Sequence, residues 1–446
     1  VTVEILTGDA EATLRTLPDA SYQEWLDRKR RDHGEAGFAP TRLPGQLYQF
    51  QTDTTEWALR KGRAAIFADC GLGKTPMQLA WAEQVAGHTG GDVLILAPLA
   101  VGAQTVREAA KFGIDATLAR ELDHVRPGVN VTNYDRLARF ADHPWAGVVL
   151  DESSILKAFD GKTRAELTEW ASHIPYRLCC TATPSPNDHE ELGGHSEFLG
   201  VLNRRQMLAE FFVNDSLSAA HWRIKGHAGG AYWRWIATWA RAFRDPSDLG
   251  YESNGFRLPP LSVHVHEVAA DSVSADRLFA VPVASLADRR EARRESISER
   301  VQLAAELANH DDTPCVVWCD LNSESDALTR AIPDAVEVRG SDAADVKEDR
   351  LLAFTEGRAR VIVTKPRIGG WGLNWQHCPR MVFAGLSDSY ESYYQAVRRC
   401  WRFGQTSPVD VHIVASNREQ TVLENIRRKE KQAMEMFAHV VREMRP

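Results

Sequence analysis

Short apolar runs recur along this chain, most of them separated by amphipathic stretches, and the rhythm is played twice. In the first half the runs are "AAIF" (64–67), "DVLILAP" (92–98), "VNVTNY" (129–134), "GVVLDE" (147–152) and "YRLCCTAT" (176–183). Helical patterns lie between them at 74–86, 102–112, 135–141 and 161–171. In the second half they are "PCVVWCD" (314–320), "AVEVRG" (335–340), "ARVIVTK" (359–365), "RMVFAG" (380–385) and "PVDVHIVA" (408–415), with helices such as 297–309 and 344–356. Strands this apolar are buried on both faces, and strands alternating with helices build parallel sheets. The rhythm predicts an α/β chain with two tandem parallel-sheet lobes.

Between the halves, 185–257 lacks that rhythm and is rich in Trp, His and Arg ("HWRIKGHAGGAYWRWIATWARAF"). It reads as a mainly helical insertion. Pro259 and Pro260 cannot sit inside a helix and mark a break near 255–268. The expected organisation is an N-terminal extension (1–42), a first lobe (43–184), the insertion (185–257) and a second lobe with a C-terminal helix (258–446).

Composition narrows the classes. The 446 residues suit two to three domains. No run of eighteen apolar residues occurs, so no membrane partner is expected, and the N-terminus carries no signal-peptide pattern. The seven cysteines are unpatterned, which fits reduced thiols and a cytoplasmic location. Net charge is −8, whereas a protein that only coats nucleic acid is usually basic. Any nucleic acid must therefore be held in a local cleft.

The chemistry concentrates in two places of the first half. "RAAIFADCGLGKTPMQLAWA" (63–82) is a strand, a glycine-containing turn, Lys-Thr and a helix. That is the geometry of a phosphate cradle, in which backbone N–H groups and a helix N-terminus face the anion. Gly71 and Gly73 permit the tight loop, Lys74 would reach the β- and γ-phosphates, and Thr75 would hold Mg²⁺. Pro76 costs little in the first helical turn. "GVVLDES" (147–153) then ends an apolar strand in two acids. Asp151 would act on Mg²⁺, and Glu152 would orient and polarise the attacking water. The expected cofactors are ATP and Mg²⁺.

With "CCTATPSP" (179–186) added, the chain resembles a superfamily-two helicase or translocase, closest to the Swi/Snf-type ATPases and in particular to compact phage-encoded members. The resemblance runs from about residue 43 to 416. "LYQFQ" is similar to the glutamine motif, with Gln51 in the adenine-reading position. "ADCGLGKT" resembles that family's form of motif I, "LILAPLAV" motif Ia, "DESS" motif II and "TATP" motif III. "VVWCDLNSESDAL" resembles motif IV, and "TKPRIGGWGLNW" motif V, which brings Gly372 into the nucleotide site. "YYQAVRRCWRFGQ" resembles motif VI, with Gln395 leading and Arg399 and Arg402 at the positions of arginine fingers. The resemblance implies RecA-like lobes, a monomer, and a motor whose site is complete only when the lobes close.

Departures from the pattern are Ser153-Ser154 in motif II, Pro366-Arg367-Ile368 in motif V, and Arg398 where motif VI usually has glycine. They bear on coupling rather than on hydrolysis. The expected nucleic-acid contacts are Thr105, Arg107, Thr132, Arg136, Lys365, Arg367 and Trp371, all suited to the phosphate backbone and hence to sequence-independent binding of DNA, duplex favoured and single-stranded DNA possible. Arg223, Lys225 and Arg234 of the insertion are weaker contact candidates. Trp222, Trp233, Trp235 and Trp239 could stack on bases, but Trp235 and Trp239 are four apart and share a helical face as core residues do. The segment 8–21 resembles the opening of DNA amino-methyltransferases, without the D-P-P-Y or N-P-P-Y motif that methyl transfer needs. His88, His195 and His227 lack metal-ligand spacing. A strand-separating DNA or RNA helicase and a non-catalytic nucleic-acid clamp are the alternatives, and a P-loop kinase leaves motifs III to VI without purpose.

Overall fold

The structure is a computed structural model that describes residues 35–98, 101–157, 161–214, 222–253, 255–268, 294–369, 374–416 and 419–444. The methyltransferase-like segment 8–21, Trp371 and Gly372 lie outside these residues.

The first lobe is a seven-stranded sheet in the order β3-β4-β2-β5-β6-β1-β9. Its strands are β1 (Arg63–Ala68), β2 (Val93–Ala97), β3 (Ala116–Leu118), β4 (Val129–Asn133), β5 (Gly147–Asp151), β6 (Tyr176–Cys180) and β9 (Ala240–Phe243). Every pairing is parallel. Successive residues of a strand point to opposite faces, and both faces here are apolar. Ala65, Phe67, Leu94, Leu96, Val148 and Leu150 enter one core. Ala64, Ile66, Val93, Ile95, Ala97 and Val149 enter the other. Helices α1 (Gln49–Lys61), α2 (Lys74–Thr89) and α3 (Gly102–Lys111) cover the second face, and α4 (Lys162–Ala171) completes the segment before β6. The sequence pattern over 135–141 forms a six-residue 3₁₀ segment, Tyr134–Arg139, and not an α-helix.

The Trp-rich segment contributes to this lobe. It supplies α5 (Leu192–Leu199), α6 (Arg204–Phe211), the antiparallel pair β7 (Phe212–Asn214) and β8 (Trp222–Ile224), and α7 (Gly229–Trp239), then runs directly into β9 beside β1. Tyr232, Trp233, Trp235 and Trp239 are all buried in the first core. Trp235 and Trp239 meet edge to face with ring centroids 5.6 Å apart, so these rings are packing groups and not a base-stacking surface. Burying each such ring is worth about 2–3 kcal/mol.

The second lobe is a six-stranded parallel sheet, β10-β15-β14-β11-β13-β12. Its strands are β10 (Leu261–Val268), β11 (Cys315–Trp318), β12 (Val336–Val338), β13 (Val361–Thr364), β14 (Arg380–Phe383) and β15 (Val409–Ser416). Helices α8 (Ile297–Ala308) and α9 (Asn322–Ala331) lie against one face; α10 (Ala344–Thr355) and α11 (Tyr390–Cys400) lie against the other. The double proline is followed at once by β10, an edge strand. A buried ion cluster ties the loops at the C-terminal edge together. Fully buried Arg300 meets Glu324 at 2.7 Å and Glu419 at 3.8 Å, while Glu324 accepts the backbone N–H groups of Asp320 and Leu321.

The last helix, α12 (Gln420–Met444), joins the two lobes. Val422, Leu423 and Ile426 pack in the second-lobe core, and Met436, Phe437 and Val440 in the first-lobe core beside α7. At 1.5 Å rise per residue it spans roughly 37 Å. Among the described residues no helix is long and apolar enough to cross a membrane.

Candidate nucleotide site between the lobes

The loop from β1 to α2 lies at the C-terminal edge of the first sheet, where parallel sheets place ligands. It needs glycine twice. Gly71 has φ 87° and Gly73 φ 79°. A Cβ on Gly73 would meet Gln51 Nε2 at 2.2 Å, and one on Gly71 would meet the Phe403 backbone nitrogen at 2.8 Å. Lys74 Nζ donates to the carbonyls of Ala68 (2.9 Å) and Asp69 (3.3 Å). Gln51 is buried under the loop: its Nε2 donates to Leu72 O at 3.1 Å, and its Oε1 accepts from the Tyr48 N–H at 3.0 Å. It supports the turn and is already occupied at both ends of its amide.

The two acids end β5 on the neighbouring loop. Asp151 Oδ1 accepts from Gln78 Nε2 of α2 at 2.8 Å, one turn beyond Thr75. Tyr134 donates its hydroxyl to the Asp151 carbonyl at 2.7 Å. Glu152 has φ 54°, one of two non-glycine residues with positive φ among the described residues. Such a backbone is costly and clusters at functional sites. Thr181 Oγ1, from "TATP", donates to Glu152 Oε2 at 3.1 Å. Burial pushes the Asp151 and Glu152 carboxyls up, and the Lys74 charge works against that rise.

Motif II has no histidine, but one arrives from elsewhere. His195 of α5 is fully buried, and its Nε2 lies 3.1 Å from Ser153 Oγ. Burial lowers its pKa to about 3, so the ring is neutral. An unfolded histidine titrates near 6.5, so between pH 6.5 and 3 the unfolded chain binds the extra proton. Stability from this group is present above pH 6.5 and is lost as pH falls. Between pH 7 and pH 5 the native chain should lose about 2 kcal/mol that His195→Gln does not lose. Urea unfolding at the two pH values measures it, and parallel losses in both proteins would refute a buried neutral ring.

The second lobe brings α11 to this edge. Gln395 and Arg399 are half-buried on it, and Arg402 follows just past its end. Burial lowers both guanidinium pKa values, and the carboxylates of Glu152 beside Arg399 and Glu108 beside Arg402 work against that fall. Charged groups of the two lobes thus lie close enough to act on one another. A cavity of about 760 Å³ flanks the loop, lined in part by Cys70, Phe256, Arg398, Trp401, Phe403 and Phe437. It does not include Lys74, Asp151 or Glu152, so the acids and the lysine mark the candidate chemistry, not this cavity.

The predicted nucleic-acid residues divide. Lys365 and Arg367 line a cavity of about 560 Å³ at the C-terminal edge of the second sheet, with Asp320, Ser387, Ser389 and Ser392. Arg107 is exposed and Arg136 half-buried on the first lobe. Thr105 and Thr132 must be corrected. They are buried at 1% and 2% exposure. Thr105 gives its hydroxyl to Val101 O, one turn back along its helix, and Thr132 faces inward from β4. Neither presents a hydroxyl to a phosphate.

Among the described residues no group of three or more His, Cys, Asp or Glu could hold a metal ion. A Mg²⁺ bound with substrate needs less, since it keeps several waters and takes one or two carboxylates plus phosphate oxygens. Asp151 and Thr75 supply a donor set of that kind. Gln78 Oε1, buried without a hydrogen-bond partner, adds an acceptor beside them.

Residues 299–404 match the family of the helicase conserved C-terminal domain. This segment reaches from α8 through Arg402. No curated protein sequence matches the chain. Among solved structures the chain is similar to a Sulfolobus solfataricus SWI2/SNF2 ATPase core in complex with dsDNA, at 16% identity and a TM-score of 0.43, covering 91% of this chain and 98% of that one.

Proposed function

We propose that this chain is an ATP-dependent DNA translocase whose hydrolytic site is completed across the two lobes. The observation that carries the reading is inter-lobe contact: α11, within the helicase C-terminal segment, sets the Tyr394 hydroxyl and Arg398 Nη2 on Asp69 of the phosphate loop, one helical position from Arg399. ATP, with Mg²⁺, would supply the phosphoanhydride whose cleavage drives the cycle. Lys74 would exchange two loop carbonyls for phosphate oxygens. Thr75 and Asp151 would hold the metal, with Gln78 fixing the Asp151 carboxylate. Glu152, held by Thr181, is set to accept a proton from the attacking water. Arg399 and Arg402 would offset charge that develops on the opposite side. Because the two halves of this constellation sit on separate lobes, closing and reopening would shift Lys365 and Arg367 relative to Arg107 and Arg136. Contacts of that kind hold the phosphate backbone and carry no base information. Duplex DNA is the preferred track, on the sequence resemblance to Swi/Snf-type motors.

ATP turnover measured without nucleic acid and with duplex DNA, single-stranded DNA or RNA tests the proposal. Duplex DNA should stimulate most, with Lys74→Ala inactive throughout. Stimulation by RNA alone would overturn the DNA assignment, and no hydrolysis under any condition would favour a non-catalytic clamp.

A further inference from the structure

Three side chains on α11 reach across to the first lobe, and they fall on one stripe: Glu391, Tyr394 and Arg398, spaced i, i+3, i+7. Glu391 pairs with Lys157, which closes the turn after motif II. Tyr394 donates its hydroxyl to Asp69 Oδ1, and Arg398 Nη2 pairs with Asp69 Oδ2. Asp69 opens the phosphate loop, and its Oδ1 also accepts the Cys70 N–H at 2.6 Å. Arg398 and Asp69 are nearly fully buried. The guanidinium lies 4.4 Å from the Trp401 ring centroid and 5.4 Å from that of Tyr394. Arg244 Nε stands 3.7 Å from Asp69 Oδ2 and adds to the charge around it.

A buried ion pair is costly to leave half-made, because each partner alone would be a desolvated charge. The pair therefore exists only with the lobes together, and the lobes separate only by rehydrating both groups. The adjoining stripe of the same helix carries Gln395 and Arg399, with Arg402 just beyond. We propose that Glu391, Tyr394 and Arg398 form an inter-lobe clamp, closed before nucleic acid binds, that positions Arg399 and Arg402 over the phosphate loop. They are positioning residues, acting through the arginines beside them. The clamp's consequence is turnover that depends less on nucleic acid, since one task of the bound strand, bringing the lobes together, is already done. This consequence rests on the ATPase reading; the clamp itself does not.

Hydrogen exchange of the full chain without nucleotide or nucleic acid reads the clamp independently of activity. Arg398→Ala should raise exchange at least tenfold in residues 69–73 and 390–403 and leave β2 unchanged. Tyr394→Phe should do so more weakly, and Arg398→Lys should restore part of the protection. Nucleic-acid-free turnover of Arg398→Ala should fall about tenfold and recover to within about threefold of the native rate at saturating duplex DNA. Unchanged exchange, or loss of protection spread equally through β2, would overturn the clamp. A rise in nucleic-acid-free turnover would also overturn it, by making the contact inhibitory. Localised loss of protection in a protein that never hydrolyses ATP would support the clamp and sink the ATPase reading.

Discussion

Glu152→Gln is expected to bind ATP as tightly as the native chain and to turn it over at least about 10²-fold more slowly. The substitution is nearly isosteric and keeps an oxygen for the Thr181 hydroxyl, which lies 3.1 Å from the native carboxylate. It removes only the capacity to take a proton. The left-handed backbone at Glu152, φ 54°, is set by the turn after β5 and is not released by the change. Binding should persist because Lys74, Thr75 and Asp151 are untouched. Phosphate release and titration with a fluorescent nucleotide separate the two quantities. Near-native turnover would remove Glu152 from its assigned role, and loss of binding with turnover would mean that the carboxylate acts in the ground state.

Arg399→Ala and Arg402→Ala should each lower turnover by about 10³-fold or more, the range known for arginine fingers. Nucleotide affinity should stay within about threefold, since the first lobe holds the phosphate loop. Both guanidiniums are partly desolvated, and the first-lobe carboxylates that face them are Glu152 for Arg399 and Glu108 for Arg402. A charge in that setting is worth far more than one in water. The double variant should be little worse than either single one, because groups that act as a unit are not additive. If both variants keep turnover within about threefold of native, the site is complete in the first lobe alone and the inter-lobe account is wrong.

The parts that were legible in sequence are those whose physics is local. A buried parallel strand announces itself as an apolar run, and a phosphate loop as glycine, lysine and threonine between a strand and a helix. Lys74, Asp151 and Glu152 could be named as candidates for that reason, whereas Arg399 and Arg402 were named only through the resemblance of their segment to motif VI. Contacts between distant segments could not be named. His195 answers Ser153 only because α5 packs under motif II, and a lone histidine carries no spacing signal. Asp69 carried no signal of its own, and Arg398 looked like a departure from pattern, until the fold set them together. The short strands β3 and β9 escaped because three or four residues do not show a period. Thr105 and Thr132 were misplaced because a hydroxyl in a motif suggests a phosphate, whereas their backbone positions turn them inward. Helix α12 reads as one amphipathic helix; nothing in its sequence says that its two ends belong to different cores.

Displacement of a third strand from a DNA triplex, followed in real time with ATP, tests most directly whether the two-lobe site drives movement along duplex DNA. The expected result is ATP-dependent displacement by the native protein and none by Glu152→Gln or Arg399→Ala. Unwinding of a forked duplex without any triplex displacement, or ATP hydrolysis with neither, would contradict it.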